Sequence, residues 1–266
     1  MQEDIRLIDV ILELVDARIP ASSKNPDINQ LANNKSRVIL LNKSDMADPD
    51  LLEPWMRYYE KQGYLALAVN AKKRNELKQV QGLIQKACRE KIERDRKRGI
   101  KNRPVRAMIV GIPNVGKSTF INSFAGRACT KTGNKPGITR GKQWIRLNPQ
   151  VELLDTPGIL WPKFENQTVG QRLAFVGSIK DELLSSAELA LELISFLKQE
   201  YPDTLQRHYQ IDETKEGVPL LEELALRRGC LNKGNEPNLD KAAFLLLDDF
   251  RNARLGRITL ERPVEE

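Results

Sequence analysis

Gly111-Ile-Pro-Asn-Val-Gly-Lys-Ser118 decides how this chain is read. It fits G-x-x-x-x-G-K-[ST], in which glycines let backbone N–H groups close around phosphate oxygens while the following helix turns its positive N-terminal end toward them. An apolar run, residues 106–110, comes just before it, and a helical stretch, residues 119–124, just after. Strand, glycine loop and helix in that order make a phosphate-binding unit. The spacing assigns Lys117 to β- and γ-phosphate oxygens and the Ser118 hydroxyl to Mg²⁺, with Asn114, Val115, Gly116 and Thr119 completing the loop.

Around this unit, short apolar runs alternate with longer polar stretches. Residues 10–15 (Val-Ile-Leu-Glu-Leu-Val), 38–41, 65–69, 105–110 and 151–154, with 144–147 beside the last, read as buried strands. Such runs separated by helical segments predict an α/β fold with a mostly parallel sheet. Ligands of such sheets bind at the carboxyl ends of the strands. From about residue 176 the pattern changes. Residues 180–200 and 239–255 have helical periodicity, and only the tail, 257–260, looks strand-like. The expected division is an α/β domain over residues 1–175 and a small all-helical domain over 176–266.

Three further motifs fall at predicted strand ends. In Asp155-Thr-Pro-Gly158, the Asp can hold Mg²⁺ and the Gly158 N–H can reach a γ-phosphate. In Asn42-Lys-Ser-Asp45, the Asp45 carboxylate can accept two hydrogen bonds from the N1–H and 2-amino edge of guanine, which adenine does not offer. Asn42 would brace that loop and Lys43 would lie along the base. Either motif alone reads equally well as a polar turn, but beside the phosphate loop they point to GTP or GDP. Asn70-Ala-Lys72 stands where a weaker element contacts guanine through backbone N–H groups, which assigns Asn70, Ala71 and Lys72 to the base. Thr139, in the glycine-rich, charged stretch 127–143, is the candidate to close over Mg²⁺ and the γ-phosphate. Lys117, Thr139 and Asn114 are the catalytic candidates.

The order is unusual, because the base-reading motif precedes the phosphate loop. Termini of a compact domain lie close together, so moving the cut preserves a site while shuffling its motifs. The sequence resembles the circularly permuted GTPases of ribosome assembly, the RbgA/YlqF group with its mitochondrial GTPase 1-like relatives. The matching residues are Glu13-Leu-Val-Asp-Ala-Arg-Ile-Pro20, Asn42 to Asp45, Gly111 to Ser118, Lys131-Thr-Gly133, Pro136-Gly-Ile-Thr-Arg140, and Asp155-Thr-Pro-Gly-Ile-Leu-Trp-Pro162. The likeness runs on through Gly170 to Ile179 and the helical tail. It implies a P-loop GTPase domain and a helical domain that contacts rRNA, acting in late maturation of the large ribosomal subunit. It also implies that Asn114 helps hold K⁺ near the phosphates.

Ile159 and Leu160 follow the D-T-P-G motif where a familiar GTPase carries a water-orienting Gln. In the resembled family a His in a Phe-Pro-Gly-His-Met segment ahead of the first strand is the candidate for that work. The expectation here is either a late start at Met1 or weak hydrolysis by the chain alone.

The net charge of +7 and pI near 9.3 favour polyanionic partners without naming one. Cys88, Cys129 and Cys230 are far apart and read as reduced thiols, and the single histidine, His208, as an ordinary surface or interface residue. There is no apolar run of membrane-spanning length and no signal-peptide pattern. A cytoplasmic monomer is expected (in the mitochondrial matrix if eukaryotic), bound to the large ribosomal subunit and its rRNA, not to DNA or membrane. Residues 86–103 form a basic, helix-like stretch that reads equally as an rRNA-binding face or a solvated connector. Arg251, Arg254 and Arg257 would share one helix face, a second RNA candidate, if the helix persists through Gly256. Two other function classes stand beside this one: a nucleotide-gated RNA-binding factor with negligible catalysis, and a metabolic P-loop ATPase or kinase, against which Asn42 to Asp45 argues.

Overall fold

Every residue of β1 (Val10–Asp16) is buried, as the middle strand of a sheet covered on both faces must be. The computed structural model describes residues 2–31, 35–100, 103–126, 128–130, 143–157, 160, 166–179 and 185–264. A short helix, α1 (Gln2–Ile5), precedes β1, and α2 (Asp27–Leu31) leads to β2 (Ser36–Asn42). Next come α3 (Pro49–Lys61), β3 (Leu65–Val69), α4 (Leu77–Ala87) and α5 (Arg89–Lys97). The phosphate-loop unit follows as β4 (Val105–Val110) and α6 (Lys117–Ala125), and then β5 (Gln143–Asn148) and β6 (Val151–Asp155).

The sheet order is β3-β2-β1-β4-β6-β5, parallel except for the edge strand β5. From β1 the chain builds outward to β2 and β3 on one side, then returns to lay β4 on the other. The crevice between β1 and β4 is therefore the switch point where such sheets bind ligands. Register sets the site. Asp16 lies abreast of Asn42 and Asn42 abreast of Val69, while Ile109 lies abreast of Asp155. The loops after β1, β2, β3, β4 and β6 thus open along one edge.

Asp48 caps α3 by accepting from Asp50 N–H, and Pro49 suits its first turn. Trp55 and Tyr59 then face the core with Val15, Ile39 and Leu41. In contrast α5 buries no residue.

The chain divides into two compact units, Met1–Glu165 with Thr259–Glu266, and Asn166–Ile258. This differs from the sequence expectation of a cut between residues 175 and 176. Residues 167–175 form the first helix of the second unit, and the chain from Thr259 on returns to the first. The second unit is all-helical among its described residues: α7 (Gln167–Phe175), α8 (Ser186–Glu200), α9 (Thr204–Tyr209), α10 (Val218–Arg227) and α11 (Leu239–Arg251). On α8, Leu189, Ala190, Leu193, Ile194 and Leu197 are buried, the spacing of one helix face.

Two further expectations change. The tail 257–260 is not a strand, and α11 stops at Arg251, followed by Ala253 in a left-handed conformation (φ 55°). Arg251 donates to the carbonyls of Ala174 (2.8 Å) and Phe175 (3.1 Å), capping α7, while Arg254 pairs with Asp248 (2.8 Å) and Asp249 (2.6 Å). Arg251 and Arg254 thus serve the fold of the helical unit, and Arg257, beyond the end of α11, does not share one helix face with them. No helix among the described residues is long and apolar enough to cross a membrane.

Candidate functional site

Strand β4 ends at Val110 and the chain turns at once along β1. Gly111 (φ 152°) is where a side chain has no room, since a Cβ would lie 2.6 Å from the Leu14 carbonyl oxygen. Gly116 (φ 101°) is the second such position, because a Cβ there would meet the Asn42 Nδ2 at 2.4 Å. Between them Asn114 takes the left-handed conformation without being glycine (φ 58°). The consensus glycines are thus demanded by neighbouring chain as well as by the turn.

Asn42 joins three loops. Its Nδ2 donates to the Val115 carbonyl in the phosphate loop (2.7 Å), and its Oδ1 accepts from the Ala71 N–H in the loop after β3 (3.0 Å). These bonds tie the end of β2 to the phosphate loop and to the loop after β3. Asn70 Oδ1 accepts from Lys72 N–H (2.9 Å), and Asn70 N–H donates to Glu76 (2.9 Å). The Ala71 and Lys72 amides are therefore engaged within the protein, and a base contact through either requires exchange of one of these bonds. Asp45 is exposed at the mouth of the loop.

Lys117 is buried at the start of α6, its Nζ donating to the carbonyls of Gly111 and Ile112 (2.8 Å each). Burial lowers its pKa to about 8, against the opposing pull of Asp155. Asp155 is 1% exposed at the end of β6, and neither carboxylate oxygen has a well-formed hydrogen-bond partner among the described residues. Burial raises its pKa to about 6, although Lys117 and the Thr156 amide pull the other way. Buried polar atoms are nearly always paired, so an orphaned carboxylate beside a phosphate loop is the mark of a site made for a cation. Ser118 and Thr119 lie half-buried in the first turn of α6. Thr139 and Gly158 lie outside the described residues, as does most of the stretch 127–143. The start of that stretch is anchored, since Asn122 Oδ1 accepts from Cys129 and Thr130 N–H (2.8 Å each).

A buried polar group behind the base-reading loop has no counterpart among the motif assignments. Lys43 (φ 62°) places Nζ 2.8 Å from Asp16 Oδ2. Arg18 grips the same carboxylate from Nε (2.9 Å) and Nη2 (2.8 Å), and both Asp16 and Arg18 are 1% exposed or less. Burial alone would push the Asp16 carboxyl up, but Arg18 and Lys43 outweigh it and hold the group far below the usual carboxylate range. Burial depresses the Lys43 pKa, with Asp16 opposing. In sequence Asp16 and Arg18 stand out only as part of Asp16-Ala-Arg-Ile-Pro20, and Lys43 only as a base-reading residue; their pairing is not legible there. His208 sits on α9 in the helical unit, with Nε2 3.5 Å from Asp249. All three cysteines are free.

Comparison with known proteins agrees with this geometry. A family described as 50S ribosome-binding GTPase matches residues 106–221. Ribosome biogenesis GTPase A of Priestia megaterium is 46% identical over 265 residues, covering 99% of this chain and 92% of that protein. Among solved structures, the GDP-bound structure of TM YlqF superposes with a TM-score of 0.71 at 26% identity, covering 98% of both chains. The GNP-bound crystal structure of YlqF from T. maritima superposes at 0.68 and 26% identity, covering 100% of this chain and 97% of that one.

Proposed function

We propose a mechanism from the premise that this chain belongs to the ribosome biogenesis GTPase A family. It is a GTP-binding and GTP-hydrolysing protein of ribosome assembly, and the carboxyl edge of its sheet is the reaction site. The observation that carries this reading is the convergence on that edge of Asn42, the 111–118 loop, the loop after β3 and the orphaned Asp155.

In this reading Asp45 accepts from the guanine edge and Lys43 lies along the base. Lys117 exchanges its two carbonyl partners for β- and γ-phosphate oxygens, and the amides of residues 114–119 surround the phosphates. Ser118 and Asp155, with Thr139, would hold Mg²⁺, which when bound neutralises phosphate charge. The two unpartnered oxygens of Asp155 fit that duty. Water attacks the γ-phosphorus, the bond to the β-bridging oxygen breaks, and GDP and phosphate leave. Apolar residues at 159 and 160 cannot orient that water, so the orienting group comes from elsewhere, and this reading places it on the ribosomal partner. The K⁺ assignment to Asn114 carries over from the family likeness.

The partner proposed is the large ribosomal subunit, met by a monomer. On the first unit, α5 presents Arg94, Arg96 and Lys97, with Arg98 capping it, none with an ion-pair partner among the described residues, on a helix that buries nothing. That supports the RNA-facing reading of residues 86–103 over the connector reading. The test is GTP hydrolysis with and without purified large subunits, in K⁺ and again in Na⁺. Strong stimulation in K⁺ alone is expected. Tight GTP binding without stimulation would remove the ribosomal activation, and equal rates in Na⁺ would remove the K⁺.

A further inference from the structure

The base-reading loop is held from behind by a chain of buried contacts that ends in residues 259–261. Asp16 grips Lys43, Arg18 grips Asp16, and the Arg18 carbonyl accepts from Leu260 N–H (2.7 Å). One residue on, the Glu261 carboxylate accepts from the amides of Ala21 (2.6 Å) and Ser22 (3.1 Å). Trp55 Nε1 donates to the Glu261 carbonyl (3.2 Å), and Asp48 N–H donates to Thr259 Oγ1 (3.0 Å). Glu261 and Thr259 are only 4% and 3% exposed. The segment 259–261 therefore clasps both flanks of the guanine loop: residues 17–22 on one side, and Asp48, three residues past Asp45, on the other.

We infer that Asp16 is the residue that positions the base-reading loop for guanine, and that the carboxy-terminal segment 259–261 is the strap that keeps Asp16 in place. Lys43 is in a backbone conformation that non-glycine residues rarely adopt, so something must hold it there, and its ammonium is tied to Asp16. Asp45 lies two residues further along the same loop. Its hydrogen bonds to the base edge are directional, so displacing the loop weakens base recognition more than it weakens phosphate binding. The strap continues directly from the helical unit, which ends at Ile258. A partner that draws on that unit thus has a covalent route to the loop that reads the base.

The inference rests on the guanine-nucleotide reading, and the experiment separates the two. Affinity would be measured for GDP and for IDP, which lacks the 2-amino group, in the intact chain and in Asp16→Asn, Glu261→Ala, the double variant, and Ser118→Ala as a phosphate-side control. The expected result is a loss of GDP affinity of roughly 30-fold in Asp16→Asn and about 5-fold in Glu261→Ala, with the GDP-over-IDP preference shrinking in both. The double variant should be no weaker than Asp16→Asn alone, and Ser118→Ala should lose affinity with the preference intact. Should Asp16→Asn fail to fold, the shrinking preference in Glu261→Ala carries the test alone. Equal losses for GDP and IDP, or effects that multiply in the double variant, would overturn the positioning role. Absence of GDP binding in the unaltered chain would instead overturn the nucleotide reading itself.

Discussion

Two buried aspartates, one in each unit, have opposite surroundings. In the helical unit Asp249 accepts from Tyr209 (2.8 Å) and Arg254 (2.6 Å). Burial pushes its pKa up, but these partners prevail and lower it. In the sheet unit Asp155 is as deeply buried, has no well-formed hydrogen bond among the described residues, and has its pKa raised to about 6. A satisfied carboxylate belongs to the packing. An unsatisfied one is kept at a cost of about 1–3 kcal/mol, and that cost marks it as serving something the folded chain does not itself contain. Burial alone does not separate a carboxylate that holds the fold from one that waits for a ligand; the count of partners does.

The largest expected effect comes from the group that shares Asp155's neighbourhood. Lys117→Ala should lower GTP turnover on ribosomal subunits by about 10³-fold, because phosphoryl transfer depends on charge placed on the phosphates. A loss below tenfold would show that the loop cation is supplied from elsewhere. Exchanging the two aspartates sharpens the contrast further. Asp155→Asn should abolish the Mg²⁺ dependence of nucleotide binding while raising the melting temperature of the nucleotide-free protein. Asp249→Asn should leave binding untouched and destabilise by about 1–2 kcal/mol, since Arg254 and Tyr209 lose a charged acceptor. If both variants melt lower, the orphan status of Asp155 is wrong.

The smallest effect is in pH. The folded pKa of Asp155, about 6, lies above its ordinary value of 3.8, so the folded state binds that proton more tightly than the unfolded chain does. This group's contribution to stability is complete below about pH 3.8 and is lost as pH rises through about 6. Across pH 7 to 5 the nucleotide-free protein should therefore be stabilised relative to Asp155→Asn, while Mg²⁺ binding weakens over the same interval. Differential scanning in matched buffers reads both. Parallel pH profiles for the two proteins would assign the titration to another group.

Much of this site is legible in the sequence alone. The six strands fall where apolar runs predicted them, because strands covered on both faces are mostly apolar and even the edge strand β5 keeps an apolar face toward the core. Asn42, Lys117 and Asp155 lie along the predicted strand edge, since each motif is attached to a strand end and parallel register brings those ends together. The tail departs from its pattern. Residues 257–260 carry strand-like side chains but pair with loops, and Leu239 to Leu255 keeps an apolar period past the point where Arg251 turns to cap α7. Local pattern records which side chains prefer burial. It does not record what they are buried against.

The sequence by itself determined the motifs: a phosphate-loop pattern, a guanine-type base motif and their permuted order, each set by residue types within a few positions of one another. Only the tertiary structure decided what holds those motifs in place. Glu261 reaches Ala21 across 240 positions, Asp16 meets Lys43 across 27, and Asn42 spans 73 to Val115. The physical reason is range. A motif works through neighbours along the chain, whereas a buried hydrogen bond joins whichever groups the fold has removed from water together, and nothing local in sequence specifies that meeting.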